Sequence, residues 1–278
     1  MSEALKPAQI IASMIEAGAA KTKIPAGQLL VRSGLAGALL GVATALAFAA
    51  TAQTGIPLVG AVIFPVGFAM IVVLGLDLVT GSFALLPMAV MAGRATPKQM
   101  LNNWAVTFAG NFIGSLIFAG LMYIVLTSAG HDSGGVVADK IRAAVAGRSA
   151  GYAALGIAGF VTAFVKAMLC NWLVCLGVTM GLASPSLAGK VIGCWLPIFT
   201  FFAQGFEHCV VNMSLFPLGL FLDAKATAAE FLLANELPVT LGNLAGGFLF
   251  TGLALYLAYQ SGASVKTPQM SGALPTSA

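Results

Sequence analysis

Long apolar runs, each closed by a short stretch rich in glycine, proline or polar residues, recur along the whole chain. They fall at 29–53, 57–93, 101–128, 152–182, 187–216 and 237–260. About 20 apolar residues in a helix cross a bilayer, so the pattern predicts six transmembrane helices. Two of the runs do not suit a straight helix. The second is too long for one crossing and carries Asp77 and then Thr80-Gly81-Ser82 near its middle. The fifth carries Gly205-Phe206-Glu207-His208, with Pro217 beyond. Each predicts two helical pieces joined by irregular backbone, which survives at membrane depth only where protein or a water-filled cavity satisfies its polar groups.

The first 26 residues differ in kind. Ile10, Ile11, Met14, Ile15 and Ala19 recur at helical spacing, and no apolar run is long enough for a cleavable signal. They predict a cytoplasmic amphipathic helix (1–26), lying along the membrane surface or packed on the helix ends. A single six-helix pore domain (27–260) follows, then a cytoplasmic tail (261–278) expected to be disordered. Basic residues set the orientation. With both termini on one side, that side holds Lys6, Lys21, Lys23, Arg32, Arg94, Lys98, Lys190 and Lys266, against Lys140, Arg142, Arg148 and Lys225 opposite. The excess places both termini in the cytoplasm.

The runs also repeat. Gly75-Leu76-Asp77 returns as Gly205-Phe206-Glu207, and Gly110-Asn111 with Gly114 returns as Gly242-Asn243 with Gly246. Three spans per copy make the two copies opposite in orientation. Two inverted three-helix repeats with a broken helix in each place a pore or substrate site near the bilayer midplane. No copy of the first span is visible in the fourth.

Composition narrows the function. Of 278 residues, 59% are apolar and 8% charged, where a soluble domain has about 25% charged, so no soluble catalytic domain is expected. The net charge of +4 follows from membrane topology. With no basic stripe or interleaved aromatics, nucleic acid is excluded as a partner. Cys170, Cys175, Cys194 and Cys209 all lie in apolar segments, and the only histidines are His131 and His208. That pattern predicts buried free thiols, no metal site and no cofactor.

Four ionisable residues lie at membrane depth, away from the ends of the apolar runs: Asp77, Lys166, Glu207 and His208. A charge facing lipid at a helix centre costs about 2.5–3.5 kcal/mol, so they must face protein or water. Asp77 and Glu207 are expected to hold the breaks by accepting hydrogen bonds from freed backbone N–H groups. Gly81 is expected to supply backbone angles closed to other residues. Imidazole titrates near neutrality and donates a hydrogen bond to an anion without permanent charge. His208, placed just after a break, therefore reads as a pore residue ahead of a satisfied core histidine. Lys166 reads either as a cation reaching polar surroundings on its flexible stem or as a fixed charge that gathers anions at a vestibule. Thr80 and Asn171 suit a small oxyanion, or the satisfaction of nearby backbone. Asn243 reads as close helix packing, with a place on a polar path as its other use. Phe64, Phe68, Phe201 and Phe202 read as core, or as rings that gate a pore by excluding water.

Three motifs, Gly75-Leu-Asp-Leu-Val-Thr-Gly-Ser82, Ala167-Met-Leu-Cys-Asn-Trp-Leu-Val-Cys-Leu176 and Gly205-Phe-Glu-His-Cys-Val-Val-Asn-Met213, resemble those of the formate/nitrite transporter family. Gly242-Asn-Leu-Ala-Gly-Gly247 is similar as well, and the resemblance covers about residues 8–260. It implies an all-α, aquaporin-like protomer assembled as a homopentamer in a bacterial inner membrane. Each protomer would have its own pore for a monovalent anion such as formate or nitrite, with no enzymatic activity. By motif position the central histidine is His208, the threonine of the loop breaking the second helix is Thr80, and the fourth-span asparagine is Asn171. The family's constrictions map to Phe64 and Phe68 on the cytoplasmic side, and to Leu78, Val174 and Phe201 on the other. Asp77 stands where many members have Glu, which preserves hydrogen bonding. Val79 stands where a larger apolar residue is common, which would widen the outer constriction. Hydrosulfide, acetate and lactate stay open as substrates beside formate and nitrite.

Two modes of transport follow. In one, His208 supplies or relays a proton and the solute crosses the apolar slits as a neutral acid, so that transport is proton-coupled and steeper at acid pH. In the other, the anion itself is conducted. Aquaporin-type and ammonia-type pores fit poorly, since twin Asn-Pro-Ala turns and a second mid-membrane histidine are lacking. An intramembrane enzyme using His208 with Glu207 or Ser214 is a remote alternative. A purely structural role would leave both breaks unexplained.

Overall fold

Proline begins three of the helices and a left-handed glycine follows the end of five of them, and between those signals the chain is helical. The computed structural model of the protein describes residues 4–260, so the tail expected at 261–278 lies outside the described residues. Among the described residues no strand forms. The N-terminal helix α1 (Pro7–Lys21) is followed by α2 (Ala26–Thr54), α3 (Pro57–Val73), α4 (Val79–Met91) and α5 (Pro97–Leu126). Then come α6 (Gly135–Arg148), the short α7 (Ala150–Ala154), α8 (Ile157–Ala183), α9 (Leu187–Ala203), α10 (Cys209–Phe221) and α11 (Ala228–Tyr259). Helices α2, α5, α8 and α11 are each long and apolar enough to cross a membrane, while α3, α4, α9 and α10 are shorter apolar helices. Val31, Leu35, Leu121 and Val125 stand exposed on α2 and α5, a surface suited to lipid or to another apolar face.

Two expectations need correction, and one helix lies where no element was predicted: the stretch between the third and fourth runs contains α6. It scans as polar through Asp139, Lys140, Arg142 and Arg148, yet its Ala138, Ile141 and Val145 are buried against Leu215, Phe216 and Leu218 of α10. The last helix starts at Ala228 rather than near 237, because Thr227 and Glu230 form a reciprocal cap on its first turn. Gly81 lies in ordinary helical backbone inside α4. The left-handed residues at the breaks are Gly75 and Gly205, each with φ of 65°, which end α3 and α9 where a side chain would be strained.

The glycine elements set the helix spacing. A Cβ on Gly114 would run into the Gly34 carbonyl of α2, and one on Gly246 into the Met168 carbonyl of α8, so α5 lies against α2, and α11 against α8, at backbone contact distance. Helix α1 buries Ile11, Met14 and Ile15 on Leu85 and Met88 of α4. It thus closes over the same end of the molecule as Lys21.

Candidate functional site

The residues Leu74–Leu78 and Gln204–His208 are not helical, and the groups that satisfy them define the site. At the first break the Val79 N–H donates to Asn111 Oδ1 (3.0 Å), and Asn111 Nδ2 donates to the carbonyls of Asp77 (2.9 Å) and Ser33 (2.8 Å). At the second, the Cys209 N–H donates to Asn243 Oδ1 (2.9 Å), and Asn243 Nδ2 donates to the carbonyls of Glu207 (3.0 Å) and Ala167 (2.8 Å). The two asparagines do the same work. Their partners also pair α2 with α8, since Ser33 and Ala167 play one part; the contact is a backbone carbonyl, so no residue type carried it in the sequence.

The carboxylates do something other than expected. Neither accepts from freed backbone. Asp77 pairs with Lys21 of α1 and with Arg32 (Nε to Oδ2, 2.8 Å), and Arg32 also donates to the Gly75 carbonyl. Glu207 accepts from the Tyr152 hydroxyl (2.9 Å) and Asn212 Nδ2 (2.9 Å), and Arg148 Nε lies 3.5 Å away. Arg148 reaches Asn212 Oδ1 at 2.9 Å, and Asn235 ties both together by donating to the Arg148 carbonyl. Lys166 Nζ stands 3.4 Å from the Tyr152 hydroxyl and 5.7 Å from its ring centroid, within cation–π range. The first break thus carries a buried carboxylate paired with two cations, and the second a buried carboxylate with one, Arg148, Lys166 reaching only Tyr152. Sequence reading found the carboxylates and Lys166 but missed Lys21, Arg32, Arg148, Tyr152, Asn111, Asn212 and Asn235. The matching spacing of Asn103 and Asn111 to Asn235 and Asn243 was the available signal.

At the first break a cavity of about 380 Å³ is lined by Lys21, Arg32 and Lys190 together with Phe68, Leu78 and Gly81. The other aromatics gather beyond it. Phe64 meets Phe201 edge-on with centroids 5.8 Å apart and stacks on Phe202 at 3.9 Å, and Phe201 lies parallel to the His208 ring at 5.9 Å. The constriction residues are thus grouped differently from the expected sides: Phe68 goes with Leu78, and Phe64 with Phe201. Val79 and Val174 are buried in the same core as all four.

Polar atoms without protein partners are buried beside the first break. Thr80 Oγ1 and Asn171 Oδ1 are buried with no hydrogen bond. Serine and threonine hydroxyls inside these helices ordinarily donate to the carbonyl four residues back, as Ser33, Thr44 and Thr179 do. Thr80 sits in the first turn of α4, where that carbonyl belongs to the break, so its hydroxyl is left free. Asn171 is oriented by its other end, Nδ2 donating to the carbonyls of Thr80 (3.1 Å) and Asn243 (2.6 Å). A buried hydroxyl and amide oxygen at this depth call for water or a polar solute.

His208 has a defined role at the second break. Its Nδ1 accepts the Val211 N–H (3.2 Å), capping α10. That contact leaves the ring proton on Nε2, a neutral donor. No hydrogen bond joins His208 to Thr80 or Asn171 among the described residues. Asn243, expected as packing or as pore lining, has its amide committed to backbone. Among the described residues no three of His, Cys, Asp and Glu are placed to hold a metal ion, and the four cysteines are free and buried.

Comparison with known proteins agrees with this architecture. The sequence model of the formate/nitrite transporter family matches residues 8–257. A probable formate transporter of Methanothermobacter thermautotrophicus is 36% identical over 257 residues, covering 86% of this chain and 91% of its own. Among solved structures, an FNT family ion channel superposes with a TM-score of 0.75 at 28% identity, covering 90% of this chain and 98% of that one. A pentameric formate channel with formate bound gives 0.69 at 26% identity, covering 84% and 98%.

Proposed function

The chain belongs to the formate/nitrite transporter family, and we propose that it is a proton-linked channel for formate, with nitrite as a second substrate. The family is one of membrane transporters, so this protein moves a small anion across a membrane and is not an enzyme. In this reading α3 with α4, and α9 with α10, each form one interrupted crossing. With α2, α5, α8 and α11 they make six spans in two inverted halves. Five protomers assemble in the inner membrane with both termini in the cytoplasm, and formate as substrate is supported by the likeness to the pentameric formate channel.

One observation carries the reading: the Thr80 hydroxyl and the Asn171 oxygen are buried without protein partners on residues tied to each other by the Asn171 amide, with Thr80 set in the chain between Leu78 and Gly81, which line the basic cavity. A charged formate gains from the cations at either mouth but loses its hydration at the apolar rings. A neutral formic acid crosses them at far lower cost. His208, with Nδ1 occupied by the Val211 amide, acts as an Nε2–H donor. A further proton would have to enter at Nδ1, against that amide and the positive end of α10, so the transported proton comes from vestibule water.

The test is a pair of variants. His208→Phe keeps a ring but removes the cap and the donor, and formate uptake into proteoliposomes should fall about tenfold or more, in keeping with the loss of a buried hydrogen-bond donor. His208→Asn keeps an acceptor for Val211 and a neutral donor, and should retain most uptake and its acid stimulation. If Asn fails like Phe, the imidazole itself carries the proton and the donor role is wrong. Wild-type uptake by the Phe variant removes His208 from the path.

A further inference from the structure

Behind the second break sits a carboxylate that the anion path does not use. Glu236, in a wide-wound turn of α11, is 6% exposed. Its Oε1 meets the Thr240 hydroxyl at 3.4 Å, and its Oε2 is buried without a hydrogen-bond partner. Its position is fixed, because Asn235 is tied to Asn212 and to the Arg148 carbonyl and Pro238 follows. The nearby cations are engaged elsewhere: Arg148 with Glu207 and Asn212, and Lys166 with Tyr152. His208 is engaged with Val211. The ionisable groups of the neighbouring α7, α8, α10 and second break are Tyr152, Lys166, Cys170, Cys175, Cys209, Glu207 and His208. Of these, Glu207 and Cys209 interact electrostatically with Glu236. An ionised carboxylate buried without a cation partner is costly, and the single long hydrogen bond from Thr240 is the one contact that favours the charged form.

The other half of the molecule fills the same place differently. Asn103, Gly110 and Asn111 recur 132 residues later as Asn235, Gly242 and Asn243, so Glu236 answers to Trp104. The Trp104 indole N–H donates to the Ser82 carbonyl (3.2 Å), and its ring packs edge-on against Phe83. A neutral group suffices to support a break there, and a carboxylate adds only the capacity to titrate.

We propose that Glu236 is a proton-binding site that makes the outer half of the path sensitive to pH. It holds a proton while the second break is tightly packed. On the alkaline side the O–H bond breaks, the proton passes to vestibule water, and the electron pair stays on the carboxylate. The new charge lies against Glu207 and competes for Arg148, which loosens the break that positions His208, and conduction falls. This rests on the proposed function only in taking the second break as a wall of the anion path.

Two measurements on the purified full-length oligomer test it. Infrared difference spectra between acid and alkaline buffers should show the C=O stretch of a protonated, buried carboxylic acid. Glu236→Gln should abolish that band, and Glu236→Asp should shift it. In proteoliposomes, the ratio of formate uptake by Glu236→Gln to that of wild type should be near one at about pH 5.5 and rise several-fold by about pH 8, because both proteins meet the same formate and the same His208. An unchanged band in the Gln variant, or a flat ratio, overturns the proposal. If neither protein carries formate, the proposed function fails while the infrared band still decides proton binding. If Glu236→Gln does not assemble, the Asp variant decides: an unshifted band refutes the assignment.

Discussion

Asn111 and Thr80 lie close together in the fold yet should respond in opposite ways to losing their polar groups. Asn111 satisfies one N–H and two carbonyls that have no water to turn to, and each buried group left bare costs about 1–3 kcal/mol. Asn111→Leu should therefore abolish the assembled oligomer, read as loss of the size-exclusion peak. Thr80 makes no side-chain hydrogen bond within the protein, so Thr80→Val should leave the thermal midpoint unchanged and lower formate uptake several-fold. An active Thr80→Val protein would remove Thr80 as a solute contact. The contrast separates groups that build the breaks from groups that face the solute, a division that residue type alone does not reveal, since Asn111, Asn171 and Asn243 are all buried asparagines.

At the scale of elements, the two breaks are turns whose geometry is set by Gly75 and Gly205 at φ of 65°. Gly75→Ala and Gly205→Ala each force a Cβ into the left-handed region at a cost of about 1–2 kcal/mol, and should each lower the melting temperature of the oligomer. The two losses should add, because the sites lie in different halves of the molecule. Gly81→Ala should cost less, since its backbone is helical and an added Cβ meets only Val178 Cγ2 at 3.3 Å. A larger loss at Gly81 than at Gly75 would reverse this ranking. The sequence pointed to the neighbourhood of both non-helical stretches, 74–78 and 204–208, because a carboxylate in an apolar run is a strong signal. It misplaced the strained glycine, since a string of glycines does not say which one turns. It also passed over α6: the apolar residues Ala138, Ile141 and Val145 keep helical spacing, but the Asp, Lys and Arg residues between them masked that face in a search for membrane runs. The Asn clamps were half legible, as a repeat read for packing whose hydrogen bonds only the fold discloses.

The whole molecule places two cations against the carboxylate of the first break and one against that of the second, with Lys190 added at the cavity of the first break. Lys21, Arg32 and Arg148 are tied into those pairs, so replacing them would disturb the breaks as well as the field. Lys190 has no ion-pair partner among the described residues, and Lys166 touches only the Tyr152 hydroxyl and ring. These two are the cations whose removal changes the potential at a mouth with least structural effect. Such a potential concentrates anions over distances comparable to the Debye length, roughly 10 Å at 0.1 M salt and 30 Å at 0.01 M. Lys190→Met should slow formate entry from the cytoplasmic side, and Lys166→Met entry from the opposite side, in oriented vesicles at low ionic strength. Both deficits should shrink as salt is raised, because the wild-type advantage is screened away. A deficit of equal size at low and high salt would mean that the lysine acts through its contacts, Tyr152 in the case of Lys166, and that the charge at that mouth does not steer the anion.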